Sequence, residues 1–117
     1  MPALQSDGTL IVAVSTDQRL VAVNPDGTKK SELAVSDRLA PDASPSIDGL
    51  DRIYVTLRFG ITCVDPDVTE QVWTRLVADG SNGVFFESSP TLGQDTVYVT
   101  SQKGNYGGEL YAIPLCQ

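Results

Sequence analysis

Histidine is absent from the 117 residues, and cysteine, methionine and tryptophan are scarce, at two, one and one. Without histidine there is no Ser-His-Asp triad, no zinc centre built on imidazole, and none of the side chain that most often serves as general base near neutrality. The two cysteines, Cys63 and Cys116, share no spacing with metal or redox motifs. Cys63 reads as a small buried apolar residue, and the pairing of Cys116 is not legible. Neither a phosphate-cradling Gly-Lys-Ser/Thr loop nor a strand-linked dinucleotide fingerprint occurs. No apolar run approaches the length of a membrane span. Basic residues are also few, eight against fifteen acidic, and the net charge of −7 repels nucleic acid and anionic membrane surfaces. Nucleic-acid binding and membrane insertion are therefore not expected. The opening MPALQSDGTL has no basic region followed by an apolar stretch, so no signal peptide is read there. Because Met1 can be an internal or engineered start, the compartment stays open.

What the chain does contain is one pattern written three times. Pro2-Ala3-Leu4, Pro45-Ser46-Ile47 and Pro90-Thr91-Leu92 each open a copy, and Leu10-Ile11-Val12, Ile53-Tyr54-Val55 and Val97-Tyr98-Val99 follow at matching distance. Proline has no backbone donor, so it suits the first residue of a strand. Turn-forming residues separate the first two segments: Ser6-Asp7-Gly8-Thr9, Asp48-Gly49-Leu50-Asp51 and Gly93-Gln94-Asp95. The second strands are predicted at Leu10 to Val14, Ile53 to Leu57 and Val97 to Ser101. Third strands follow at Leu20 to Val23, Ile61 to Val64 and Leu110 to Ile113. These runs are apolar or half-apolar on both alternating faces, which predicts sheets covered on both sides. Fourth strands are predicted at about Thr28 to Leu33 and Gln71 to Leu76, after the turns Asn24-Pro25-Asp26-Gly27 and Asp65-Pro66-Asp67. Lys29 and Lys30 suit an outer edge, where charge discourages unwanted strand pairing.

Periodicity is two throughout and nothing reads as a helix. Four short antiparallel strands in a unit of about 43 residues are the signature of β-propeller blades. The expectation is an all-β chain, residues 1–117 forming one partial propeller of roughly three blades at about 2–33, 45–76 and 90–117. The third copy ends without a fourth strand. Three blades do not close a ring. If each open face carries roughly 400 Å² of apolar surface, about 10 kcal/mol per face is left unrealised. The chain is then either part of a longer propeller or associates with copies of itself through the open blade faces.

The second copy resembles the PQQ-like, or quinoprotein-like, propeller repeat. That repeat carries Ala-x-Asp near the end of its third strand and Trp eight residues beyond the Asp; here Cys63-Val64-Asp65 and Trp73 hold those places. The first copy offers Ala22-Val23-Asn24 with Glu32 at the tryptophan spacing, and the third stops at Ala112-Ile113-Pro114. The family's Thr-Gly turn is absent. Trp73 is expected to act structurally, laying its ring between adjacent blades, where it would bury on the order of 200 Å². The resemblance implies a binding scaffold of the periplasmic or cell-surface assembly and recognition kind. It also admits, as the alternative, a fragment of a PQQ-dependent oxidoreductase. Such enzymes are similar to one another in a vicinal cysteine pair and a calcium site drawn from several blades; this sequence has no adjacent cysteines. No cofactor is expected here.

In an up-and-down blade, the loop between the second and third strands opens on the same edge as the connection to the next blade. That edge carries the long segments, Ala34 to Ser44, Val77 to Ser89 and Gln102 to Glu109, and the opposite edge only tight turns. Long loops on a rigid scaffold tend to carry function. The candidate contact surface for a protein partner is therefore Arg58, Phe59, Asn82, Phe85, Phe86, Lys103, Asn105 and Tyr106. Asn24 to Gly27 and Asp65 to Asp67 have closely spaced oxygens like calcium loops but lack the later carboxylate of a full site, so they are expected to be structural turns and no metal site is assigned.

Overall fold

A computed structural model describes residues 2–40, 43–76, 84–103 and 108–115, with the side chains of Val84 and Lys103 outside that description. It contains twelve strands among these residues. The first sheet has β1 (Pro2–Leu4), β2 (Leu10–Val14), β3 (Arg19–Val23) and β4 (Lys29–Ala34), paired antiparallel in chain order. The second repeats this with β5 (Ser46–Ile47), β6 (Ile53–Leu57), β7 (Gly60–Val64) and β8 (Gln71–Leu76). In the third sheet β10 (Thr91–Leu92), β11 (Thr96–Lys103) and β12 (Leu110–Pro114) lie side by side, and β9 (Val84–Phe86) pairs with the far end of β11. Each sheet is a propeller blade, and no helix occurs among the described residues.

The three blades stack face to face around two apolar clusters. Ile11, Leu20 and Ala22 from the first blade meet Ile53, Val55, Leu57 and Val64 from the second. Tyr54, Ile61 and Cys63, on the second blade's other face, meet Val97, Val99 and Ile113 from the third. Alternation along each strand assigns neighbours to opposite faces, so the same pair of positions recurs with a fixed direction. Ile11, Tyr54 and Tyr98 all point toward the next blade, whereas Leu10, Ile53 and Val97 point toward the preceding one. The middle blade is consequently buried on both faces along all of β6 and β7. The outer blades each bury one face: Tyr98, with no further sheet beyond it among the described residues, is 38% exposed, while Tyr54 is fully buried.

Two features of the pairing are not legible in the repeats. The connectors between blades each lend a bridging residue to the next blade's first lane, Leu39 opposite Leu57 and Phe86 opposite Ser101. Both residues are buried, one in each cluster, so a connector carries core. The outer strands also slip register at equivalent places, between Ala22 and Val23 and between Cys63 and Val64. The turn after the slip is closed by Asn24 N–H to Thr28 O in the first blade but by Asp65 N–H to Glu70 O in the second, one residue longer. Pairing is Cys63 with Trp73 and Ala22 with Ser31. The counterpart of Trp73 is thus Ser31 and not Glu32, because counting spacing alone ignores the extra turn residue. Trp73 packs against the second cluster with Tyr54 edge-on at 6.3 Å, and Ser31 Oγ donates to Asp67 O of the second blade at 2.8 Å.

Gly60 is fixed by close approach. A Cβ there would lie 1.9 Å from the Arg75 carbonyl oxygen on the neighbouring strand, so no other residue fits without moving β8.

Candidate functional site

The two edges of the stack differ in how they are bonded. The edge of tight turns is stitched across blades: Gln5 Nε2 donates to Asp51 O at 2.9 Å and to Pro66 O at 2.8 Å, and Asp51 accepts from Ser6 N–H at 2.8 Å and Ser6 Oγ at 2.5 Å. The carboxylates of Asp7, Asp26, Asp48 and Asp65 are occupied within their own turns. Asp26 accepts from Thr28 N–H and Oγ1, and Asp65 from Thr69 N–H, Thr69 Oγ1 and Glu70 N–H. Hydrogen bonds from Thr28 hold the Asp26 carboxyl below the usual aspartate range. For Asp65 partial burial opposes ionisation, but the donors from Thr69 and Glu70 together outweigh it and its pKa is lowered too. Asp48 is similar: desolvation raises its pKa, and donation from Arg52, Leu50 and Tyr54 lowers it further than burial raises it. These oxygens serve turn geometry. Among the described residues no three His, Cys, Asp or Glu side chains gather where they could hold a metal ion.

The opposite edge, with the long connectors, is organised around Arg58. This residue lies in the tight turn between β6 and β7, at the centre of the three blades. Its N–H donates to Arg38 O in the first connector at 2.8 Å, and its carbonyl accepts from Phe86 N–H in β9 at 2.7 Å. Its guanidinium lies 4.9 Å from the centroid of the Phe85 ring, a cation–π contact. One arginine is therefore tied by main chain to the first connector and to β9, and by side chain to β9. Beside it opens a depression of about 210 Å³ lined by Ser15, Thr16, Arg38, Leu39 and Arg58. Leu39 is buried and forms its floor.

Of the residues singled out from sequence, Arg58, Phe59 and Phe85 are half-buried residues on this edge. Phe86 is corrected: it is fully buried in the second apolar cluster, 5.5 Å from the Tyr111 ring between centroids, and presents no surface. Adjacent residues in a strand point oppositely, so Phe85 and Phe86 could not both be outside. The backbone of Lys103 pairs with Val84 at the end of β11. Asn82, Asn105, Tyr106 and Cys116 lie outside the described residues. Sequence reasoning missed Ser15, Thr16 and Arg38. Arg38 had one available signal, as the only basic residue in the long first connector.

No family model matches the chain, and no curated protein does. Solved structures do. A europium-containing methanol dehydrogenase superposes with a TM-score of 0.81 at 17% identity, over 97% of this chain and 22% of that one. BamB from Moraxella catarrhalis superposes with a TM-score of 0.66 at 14% identity, over 99% of this chain and 40% of that one. At such identities the likeness carries the fold: these sheets are blades of a partial β-propeller, as the PQQ-like resemblance implied. The chain spans less than half the length of either neighbour.

Proposed function

We propose that the chain is a segment of a β-propeller whose long-connector edge is a non-catalytic binding surface for a protein partner. The observation that carries this reading is the placement of Arg58. An arginine whose main chain is bonded to the first connector and to β9, and whose guanidinium lies against the Phe85 ring, stands on the long-connector edge with Phe59 beside it. Arginine and aromatic residues fixed on a rigid scaffold are the usual anchors of protein recognition. On the opposite edge Gln5, Asp51 and Asp65 spend their side chains on bonds within the stack.

The placement is tested with a photoreactive residue substituted for Phe59 on the wide edge or for Asp26 on the turn edge. Cross-links to another protein from position 59 and not 26 are expected. Cross-links from position 26 alone overturn the reading.

The alternative, a fragment of a PQQ-dependent oxidoreductase, is favoured by the methanol dehydrogenase likeness. The donor set does not fit a calcium-held quinone: Asp26, Asp48 and Asp65 in the turns are taken by local N–H and hydroxyl donors, and among the described residues no three acidic side chains gather. Mixing the chain with PQQ and Ca²⁺ and removing unbound quinone discriminates the two. Retained quinone absorbance would overturn the scaffold reading.

A further inference from the structure

We propose that the depression between the first two blades is a receptor for one carboxylate side chain, presented by an acidic segment of the partner protein. This rests on the wide-edge reading and specifies its chemistry.

In a chain of net charge −7, Arg19 and Lys29 pair with Glu32, Arg52 pairs with Asp48, and Lys30 does not line the depression. The Arg75 guanidinium lies 5.6 Å from the Trp73 ring centroid. Arg38 and Arg58 line the same depression, and among the described residues neither has a carboxylate within 4.0 Å. Two cations sharing a small concavity without a counter-ion repel each other, and an anion between them relieves that repulsion.

The remaining lining suits a carboxylate. An ionised carboxylate only accepts, through about four lone-pair sites, and four of the five residues lining the depression, Ser15, Thr16, Arg38 and Arg58, carry side chains that can donate to it. Arg58 is pre-positioned by its two backbone bonds and by Phe85, so little freedom is lost when it closes on a ligand. Leu39 beneath shields the site from water on one side. Size limits the ligand as well. About 210 Å³ lies below the range of roughly 300–1,000 Å³ that encloses whole small molecules, so the occupant is the tip of something larger. Asp17 and Asp37 follow Thr16 and precede Arg38 in sequence without lining the depression. With the chain's overall charge they oppose a polyanion and leave a single carboxylate as the better match.

The test titrates the full chain with a capped glycine-glutamate-glycine peptide, with its glutamine counterpart, and with inorganic phosphate, following backbone amide resonances. The glutamate peptide is expected to shift Ser15, Thr16, Arg38 and Arg58, and the glutamine peptide to leave them in place. Arg38→Gln and Arg58→Gln should each weaken binding about fivefold or more, and Lys30→Gln on the turn edge should not. Unchanged resonances elsewhere show that the variants are folded. Equal binding of the glutamine peptide, undiminished binding by the double arginine variant, or tighter binding of phosphate than of the glutamate peptide overturns the proposal. If position 59 still cross-links to its partner in the double arginine variant, the receptor falls and the wide-edge reading stands. If the glutamate peptide binds as expected while only position 26 cross-links, the wide-edge reading falls and the carboxylate receptor stands.

Discussion

The middle blade and its two neighbours are built from the same repeat, yet they live in different surroundings. Tyr54 and Tyr98 occupy equivalent strand positions; the first is enclosed between two sheets and the second faces outward at 38% exposure. Thr56 and Thr100 differ in the same way: Thr56 is fully buried with its Oγ1 donating to Ser88 O of the next blade at 2.7 Å, and Thr100 is exposed. A propeller sheet is a core element only by virtue of what stands on both sides of it. The repeat supplies apolar faces, and the neighbours decide how much each contributes.

The sharpest way to break this comparison is at glycine. Gly60→Ala in the middle blade drives a Cβ into the Arg75 carbonyl and is expected to cost about 4 kcal/mol or more in denaturant unfolding of the full chain. Gly27→Ala, in an outer-blade turn with φ +92 and open space around it, should cost only about 1–2 kcal/mol from the left-handed conformation. Similar losses at the two sites would show that the middle sheet is not the tighter one.

Next in size is the tyrosine pair. Tyr54→Ala is expected to lose about 3–5 kcal/mol and Tyr98→Ala less than about 1 kcal/mol. A loss at Tyr98 as large as at Tyr54 would mean that the third blade's outer face is covered in solution, by further blades or by another copy. A smaller contrast lies in the threonines: Thr56→Ala should cost about 1 kcal/mol and Thr100→Ala nearly nothing, by the same measurement.

The smallest effect expected is in the response to acid. Asp48 and Asp65 of the middle blade have pKa values lowered from the usual 3.8. A lowered folded pKa means that the unfolded chain takes up the proton first. The stability these groups confer is present above 3.8 and is lost as pH falls through the folded pKa. Asp48→Asn should therefore flatten the decline of the thermal midpoint on the acid side of 3.8 and leave its slope above pH 5 unaltered. An unchanged acid limb would remove Asp48 from that account.

Much of this architecture could be read from the chain because the second and third strands are continuous aliphatic runs with turn residues at each end. Leu10–Val14, Ile53–Leu57 and Gln71–Leu76 all form where the pattern puts them. Three things were not readable. The pairing of Trp73 with Cys63 depends on a register slip and a six-residue turn, and spacing along the chain does not record either. Burial of Phe86 beside half-buried Phe85 depends on which strand partners it, since a one-residue shift would exchange them. The depression depends on Ser15, Thr16 and Arg38 arriving from a turn and a connector, brought together by blade stacking and not by proximity in sequence.

The bridging residues Leu39 and Phe86 have a consequence for how such a molecule can change. Leu57 lies eighteen positions after its partner Leu39, and Ser101 fifteen after Phe86, yet both bridges close at the same place in their blades. The first lane is laid down in two pieces, and in the third blade the join, residues 87–90, is itself bonded to the second blade: Ser88 O accepts from Thr56 Oγ1 and Ser89 Oγ from Ser44 N–H. A connector that supplies lane, core and bonds at once fastens each blade to the one before it, so lengthening or shortening a connector alters two sheets together.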